Sequence, residues 1–407
     1  MSIVKKNRIL VLLFEVFYGF TFNIVGTISI SEIFVVIYTS VHLMTDKILR
    51  NSDFKKVGYL YLCLLFSQVI SEIIVGNTLE NSLKGIAVTV VSFCHFYFLL
   101  RLFFQDKKII LWVIAGLILK SIFFGREGDF VESMEGEDAI YLKFYVAPLI
   151  SNVLLFLSFW IRKKYISEVL FVLFGIFFIV VGARSMGLIL FLSGIASILL
   201  VKKIAIKNIW SSVCLFFAIG YFSYVVYVDS VLSGSISSGN NVQLLNVSDN
   251  KYNPVNLLLA GRSEVYVGLM AFLDEPLYGH GAWAKDSDKN HKYSIMMAKM
   301  HGDKYTTYSH NAIIPSHSII IGYAMYNGVF ALLFFLFIIS IFLKYGYICI
   351  QSNIHGPLII VFFMISMIWV SFCSPISHFR YDIPLYMSFI FYLYGQTKKK
   401  GGICYHR

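Results

Sequence analysis

Three arginines and two histidines are the side chains in this sequence that are best suited to chemistry. Arg184 lies in a short Gly-Ala-Arg-Ser turn, Arg262 begins a segment with helical periodicity, and Arg380 precedes Asp382 by two residues. Guanidinium is planar, always charged and able to bind two oxygens at once, so several arginines together suit a diphosphate. Each also has a structural alternative, since an arginine between two helices often anchors at a membrane interface and Arg380 could pair with Asp382 alone.

The two histidines, His310 and His317, lie in one segment, Tyr308–Ser318. Imidazole titrates near neutral pH, so either ring could accept a proton from an attacking hydroxyl. A diphosphate leaving group needs stabilisation of its charge more than protonation, and arginine supplies that stabilisation. The set therefore predicts glycosyl transfer from a diphosphate-linked donor without a metal. The alternative for each lone histidine is a structural role.

The composition excludes a soluble domain as the scaffold for these residues. The chain has 407 residues, of which 58% are hydrophobic and 14% charged, whereas soluble domains have about 45–50% apolar and about 25% charged residues. With 28 Gly, 7 Pro and 6 Cys, disorder, collagen-like repeats and a disulfide-linked secreted module are excluded as well. No CxxC pair occurs, so the cysteines predict neither a metal nor a redox centre. We predict an all-α polytopic membrane protein.

Apolar runs predict about twelve transmembrane helices. The runs cover residues 9–25, 28–43, 57–75, 83–104, 109–124, 141–161, 166–182, 185–201, 209–228, 318–343, 357–372 and 383–397. Every even-numbered run is followed by basic residues, whereas the odd-numbered exit at 126–138 is strongly acidic. The positive-inside rule then places both termini in the cytoplasm, with the basic N-terminus leading into a start-transfer helix. The net charge of +11 is spread over these loops, which argues against nucleic-acid binding.

Three regions follow from this topology. Residues 1–228 contain the first nine predicted helices, residues 229–316 form one large, partly helical periplasmic loop, and residues 317–407 contain the last three helices and a cytoplasmic tail. Within the loop, Leu257–Leu273 predicts an amphipathic helix that lies against the outer surface of the bundle. Its predicted apolar residues at helical spacing are Val265, Leu269 and Phe272.

Several acidic residues call for an explanation. Glu15, Glu32 and Glu72 lie in or near apolar runs, where a carboxylate is costly; we expect snorkelling to a helix end or a hydrogen bond between helices. Asp286 and Asp288 have the Asp-x-Asp spacing of metal-dependent sugar-nucleotide transferases, but in a Lys-rich loop on the side where nucleotide sugars are absent. The sequence has no Gly-rich phosphate loop, zinc-binding spacing or nucleophile elbow, and we predict neither a metal nor a cofactor.

Three motifs together point to a family. The segment Gly261–Tyr266 combines an arginine with an aromatic residue, and a Pro-Leu-Tyr-Gly-His-Gly motif follows it at 276–281. His317 precedes Gly328 by eleven residues, and Arg184 lies in the turn described above. In these motifs, and in twelve helices with one large outer loop before the tenth, the chain resembles the O-antigen polymerase and O-antigen ligase superfamily.

The resemblance implies roles for individual residues. Arg184 and Arg262 would bind the undecaprenyl pyrophosphate of the donor, and Arg380 is our third candidate for that group. His317 would act on the acceptor hydroxyl. His310 is the alternative, because it carries the His-Asn dipeptide that is commoner in the family.

We therefore expect a metal-independent inverting glycosyltransferase on the periplasmic face of the bacterial inner membrane. As an O-antigen polymerase it would move glycan from undecaprenyl pyrophosphate onto a sugar hydroxyl of a lipid-linked repeat unit. The alternatives are an O-antigen ligase, which joins glycan to lipid A–core, and a lipid-linked oligosaccharide flippase. Charges at the outer helix ends favour an enzyme over a transporter, which commonly binds its substrate near the membrane midplane. Expected partners are the lipid-linked donor and acceptor and membrane lipid; a separate chain-length regulator is left open.

Overall fold

The fold is known from a computed structural model, which describes most of the chain. The described residues are 3–23, 26–124, 141–161, 163, 165–201, 221–222, 224–226, 228–234, 250–253, 263–286, 291–301, 313–352 and 357–404. Arg262, Asp288 and His310 lie outside these residues, as does most of the predicted run 209–228.

The described residues fold almost entirely into helices. In chain order these are α1 Ile3–Phe17, α2 Ile30–His42, α3 Ser52–Val75, α4 Leu79–Gln105, α5 Ile109–Phe124, α6 Ala147–Ser158, α7 Ile166–Val180, α8 Arg184–Val201, α9 Ser263–Asp274, α10 Lys292–His301, α11 Ile319–Gln351, α12 Pro357–Cys373 and α13 Asp382–Cys404. A π-helical turn at Leu142–Val146 leads into α6, and a 3-10 turn at Ile376–Arg380 precedes α13. The all-α prediction is therefore confirmed, apart from one small hairpin.

The hairpin corrects the first predicted helix. The apolar run 9–25 predicts a helix to residue 25, but α1 ends at Phe17 and two antiparallel strands follow, β1 Thr21–Asn23 and β2 Thr27–Ser29. Gly26, at φ +152°, lies in the turn between them, a conformation that favours glycine. Ser29 then caps α2 through a reciprocal pair of hydrogen bonds with Glu32.

The central helices of the bundle are α4 and α11. Helix α4 packs against α2, α3 and α13, and its residues Phe96–Leu100 are completely buried. Helix α11 packs against α3, α12 and α13, and its first half also contacts α9. Together they form one continuous apolar core to which the remaining helices are added.

By length and composition, three helices of the described chain can cross a membrane: α3, α4 and α11. Six other apolar helices are shorter; α5, for example, has 16 residues, or about 24 Å at 1.5 Å per residue. The structure therefore supports three spans, and the count of about twelve remains a prediction. Large apolar side chains are exposed along α3 and α7, among them Leu62, Phe66, Leu173 and Val180. A surface of this kind suits contact with lipid.

Ion pairs connect the basic segments at one end of the bundle. Arg8 pairs with Asp106 (2.6 Å), Arg101 with Asp46 (2.8 Å) and Lys398 with Asp53 (2.5 Å). These contacts join the start of α1, the end of α4, the α2–α3 connection, the start of α3 and the end of α13. The segments that the charge pattern assigns to one face thus meet at one end.

Helix α9 occupies part of the predicted loop helix. It covers Ser263–Asp274 and ends where the sequence predicts, while residues 257–262 lie outside the described chain. Its buried face differs from the prediction, because it consists of Ser263, Val267, Gly268 and Ala271. Small residues are favoured here because α9 approaches α11 closely: a Cβ at position 268 would lie 2.9 Å from Ile321.

Candidate functional site

The loop segment Pro276–Ala282, called here the docked segment, lies against a break in helix α11. Gly328 has φ +76° and ψ −171°, so it interrupts the helix and frees backbone groups on both sides of it from helical bonding. The docked segment binds these groups. The three hydrogen bonds, each 2.9 Å long, are His280 N to Met325 O, Gly281 N to Tyr326 O, and Val329 N to Pro276 O. Two motifs that the sequence singles out are thus brought together by backbone contacts.

Glycine is required on both sides of this contact. A Cβ on Gly328 would overlap the carbonyl group of Leu277, and a Cβ on Gly279 would lie 2.5 Å from Met325 O. Both residues also have positive φ, a region that other residues rarely adopt. The Pro-x-x-Gly-x-Gly spacing is therefore explained by close backbone approach.

The carboxylate of Glu72 anchors the docked segment to the end of α3. Only 5% of Glu72 is exposed, and its two oxygens accept four hydrogen bonds. The donors are Ala282 N (2.7 Å) and Asn327 Nδ2 (3.3 Å) to Oε1, and Asn77 Nδ2 (2.6 Å) and Ser82 Oγ (2.9 Å) to Oε2. Of the two expected explanations for this residue, hydrogen bonding is therefore right and snorkelling is wrong; two of its donors, Ser82 and Asn327, lie in helices α4 and α11.

We expect Glu72→Gln to destabilise the fold by about 1–3 kcal/mol. The amide nitrogen of glutamine would face two of the four donors and leave buried hydrogen-bonding groups unsatisfied. The measurement is thermal unfolding of the purified protein in detergent. Glu80→Gln is the matched control, since Glu80 is exposed and pairs with Lys84, and such surface pairs contribute little. Equal melting temperatures for the two variants would contradict this account of Glu72.

Two links, one on each side of the docked segment, connect the loop to α10. Lys292 Nζ and Tyr293 Oη each donate to Asp274 Oδ2 at 2.6 Å. The bond from Lys292, followed by that from Tyr293, lowers the pKa of Asp274. The link is therefore complete at pH values above the usual aspartate range and is lost only as the pH falls through the lowered pKa.

The second link involves the predicted Asp-x-Asp motif. Asp286 is buried, and its Oδ2 accepts hydrogen bonds of 2.8 Å from Ser294 N and Oγ near the start of α10. Asp288 lies outside the described residues. Within the described part of the chain, no group of three His, Cys, Asp or Glu side chains is placed to hold a metal ion.

Helix α9 brings the region after Arg262 close to the segment that carries His317. Gly268 faces Pro315, and a Cβ at position 268 would lie 3.4 Å from the Pro315 carbonyl oxygen. Pro315 precedes His317 by two residues, and His317 itself is half-buried. Ser318 then caps α11: its Oγ accepts from Ile321 N at 3.3 Å. Helix α9 and the segment before α11 are therefore neighbours.

Arg184 is the first residue of α8 and is half-buried. It follows a turn in which Gly182 has φ +101° and Ala183 is buried. Helices α7 and α8 are tightly packed around this turn, because glycine at 175 and 187 allows their backbones to approach. The turn that the sequence identifies thus connects two closely packed helices.

Arg380 pairs with Glu32 and not with Asp382. Its Nε lies 3.1 Å from Glu32 Oε1, and its Nη1 donates to Thr27 O at 2.9 Å. Asp382 instead contacts His378, with 2.5 Å between Oδ2 and Nδ1. The structural alternative for Arg380 therefore had the wrong partner. Glu32 is 3% exposed, so snorkelling is wrong for it as well.

Around Arg380 lies a charged cluster, defined here as Glu15, Glu32, His95, Lys120, His378, Arg380 and Asp382. Tyr18 donates to Glu32 (2.7 Å), Tyr381 donates to Glu15 (3.0 Å), and His95 Nδ1 lies 3.2 Å from Arg380 O. The cluster joins α1, α2, α4 and α5 to the turn before α13. Sequence reasoning missed His95 and Lys120. Both are ionisable residues within apolar runs, the same signal that singled out Glu15, Glu32 and Glu72.

In comparisons with known proteins, no protein-family model matches the chain, and no curated protein matches its sequence.

Proposed function

We propose that this chain is a metal-independent inverting glycosyltransferase of bacterial surface-polysaccharide synthesis, acting as an O-antigen polymerase. The observation that carries the proposal is the contact of α9 with Pro315. Helix α9 follows directly on Arg262, and Pro315 lies two residues before His317, so this contact supports a common site for the two residues. The long apolar helices α3, α4 and α11 support a membrane location.

The proposed reaction uses a lipid-linked donor. A sugar hydroxyl of the acceptor repeat unit attacks the anomeric carbon of the donor glycan, and His317, or His310 in its place, takes the hydroxyl proton. The bond between the anomeric carbon and the pyrophosphate oxygen breaks with inversion. Arg184, Arg262 and Arg380 stabilise the charge on the departing undecaprenyl pyrophosphate.

The docked segment supports an enzyme rather than a flippase. Transporters use broken helices whose unwound backbone groups bind the substrate. In α11 the carbonyls of Met325 and Tyr326 beside the break already accept from His280 and Gly281. The break therefore fixes a loop in place, and it does not present these groups to a cargo.

Chain growth by the purified protein tests the proposal. In lipid nanodiscs with synthetic undecaprenyl-pyrophosphate-linked repeat unit, we expect products of two, three and more repeats, resolved by mass spectrometry. No growth together with translocation of the lipid in vesicles would replace the enzyme by a flippase. A deletion strain separates the two transferases: a polymerase mutant still displays single-repeat lipopolysaccharide, whereas a ligase mutant displays none.

A further inference from the structure

Two buried polar atoms of the charged cluster have no hydrogen-bond partner among the described residues. They are Oε1 of Glu15 and Nε2 of His95. Glu15 is 0% and His95 1% exposed. Leaving a buried polar atom unpaired costs about 1–3 kcal/mol, and native proteins seldom do so without a reason. Both atoms therefore point to a ligand.

The hydrogen bonds of these residues define what the ligand must offer. The Arg380 carbonyl oxygen beside His95 Nδ1 is an acceptor, so Nδ1 carries the hydrogen and Nε2 is an acceptor in the neutral ring. The Glu15 Oε2 accepts from Tyr381 Oη at 3.0 Å, and in the ionised carboxyl group Oε1 also accepts. A ligand at this place must donate hydrogen bonds.

Both atoms belong to one site, because they share their neighbours. The Tyr381 hydroxyl bonds Glu15, and the Tyr381 ring centre lies 5.8 Å from that of His95. The Tyr18 ring stacks on His95 at 6.2 Å and lies 4.1 Å from the ring of Tyr381. Lys120 and Asp382 act electrostatically on both Glu15 and His95.

The charges around Glu15 and His95 disfavour a charged group between these two enclosed residues. Three carboxylates, Glu15, Glu32 and Asp382, face the cations of Lys120 and Arg380 and the imidazole of His378. A ligand with a net charge would bring an uncompensated charge into a buried site, which is costly. A neutral ligand with hydroxyl groups adds no charge to this place and can donate a hydrogen bond to each of the two acceptors.

The Lys120 side chain covers the two tyrosines beside the buried pair. Tyr18, Lys120, Arg380 and Tyr381 are half-buried, while Glu15 is fully enclosed. The Lys120 ammonium lies over both tyrosine rings, 4.8 Å and 4.2 Å from their centres. Its four-carbon stem has many rotamers, so Lys120 can move aside with little change in the backbone.

We propose that Glu15 and His95 form a subsite that binds sugar hydroxyl groups of the lipid-linked glycan, beside Arg380. The inference rests on the proposed function, in which Arg380 contacts the pyrophosphate to which that sugar is attached. It adds a glycan-binding site built from α1 and α4, far in sequence from the motifs described above.

Binding of two lipids by the full-length protein in nanodiscs tests the subsite. The probes are undecaprenyl pyrophosphate with the repeat unit and the same lipid without glycan. We expect Glu15→Gln and His95→Phe to weaken binding of the glycan-bearing lipid by about 10- to 100-fold, the loss expected for hydrogen bonds involving a charged group. Binding of the bare lipid should stay within about twofold. Glu168→Gln is the matched control, because Glu168 also lies in an apolar helix but contacts Ser197 instead.

Each outcome decides between defined alternatives. If the variants bind both lipids equally weakly, or bind both as tightly as the unmodified protein does, the subsite is overturned. Binding of neither lipid by the unmodified protein overturns the proposed function itself. If both variants lose their melting transition, Tyr381→Phe replaces them, since it removes only the hydroxyl that donates to Glu15. Tyr381→Phe should then weaken binding of the glycan-bearing lipid by about threefold or more and leave binding of the bare lipid unchanged. Unchanged binding of both lipids would again overturn the subsite.

Discussion

Replacement of Gly328 by alanine is expected to detach the docked segment and abolish activity. The added Cβ would overlap the Leu277 carbonyl group, and alanine would also have to adopt φ +76°. Backbone strain alone costs about 1–3 kcal/mol, and the overlap removes the three backbone hydrogen bonds of the docked segment as well. We expect a loss of about 3 kcal/mol or more in thermal unfolding and no detectable chain growth.

Gly58→Ala is the matched control for this variant. Gly58 lies within α3, and a Cβ there would meet no atom within 4 Å. Alanine is the better helix former by about 1 kcal/mol, so this variant should be as stable as the unmodified protein or more so. A Gly328→Ala protein that melts and polymerises normally would show that the break in α11 has no role in positioning the loop.

Alanine at Arg184, Arg262 or His317 is expected to lower the rate of chain growth by at least about 100-fold. The arginines stabilise the charge of the leaving pyrophosphate and the histidine removes a proton, and each role typically contributes that much or more. Membrane levels and melting temperature should be unchanged. Arg262→Lys should also fail, since lysine is a point charge that does not bind two oxygens at once. The rate is measured with the purified protein and the lipid-linked repeat unit.

Arg50→Ala is the control for the arginine variants, because Arg50 is exposed in the connection between α2 and α3. It should retain full activity. Full activity of His317→Ala together with an inactive His310→Ala would transfer the role of base to His310. Activity in all three alanine variants would remove the proposed mechanism.

Helix positions could be predicted where the sequence contains an unbroken apolar run. The run 109–124 coincides with α5 because nothing in it competes with helix formation. The run 9–25 differs, since Gly19, Thr21 and Gly26 permit a hairpin after Phe17. Hydropathy does not register this change, because phenylalanine and isoleucine are equally apolar in a strand and in a helix.

The candidate site could be predicted only in part. Glu72 is conspicuous as a carboxylate in an apolar run, but its donors Ala282 and Asn327 lie 210 and 255 positions away. Ala282 contributes its backbone N–H, which every residue except proline has, so no residue type reveals it. His95 appears as one polar residue in an apolar helix, and only the fold places it beside Glu15.

The anchoring of the docked segment by Glu72 has a consequence for biogenesis. Asn327 is synthesised 255 residues after Glu72, which at 5–20 residues per second takes roughly 13–50 s. Throughout that interval the nascent chain carries a carboxylate whose distal donors do not yet exist. The N-terminal half is therefore an incomplete folding intermediate on leaving the ribosome. A truncated product that lacks Ala282 and Asn327 would retain this unsatisfied group permanently.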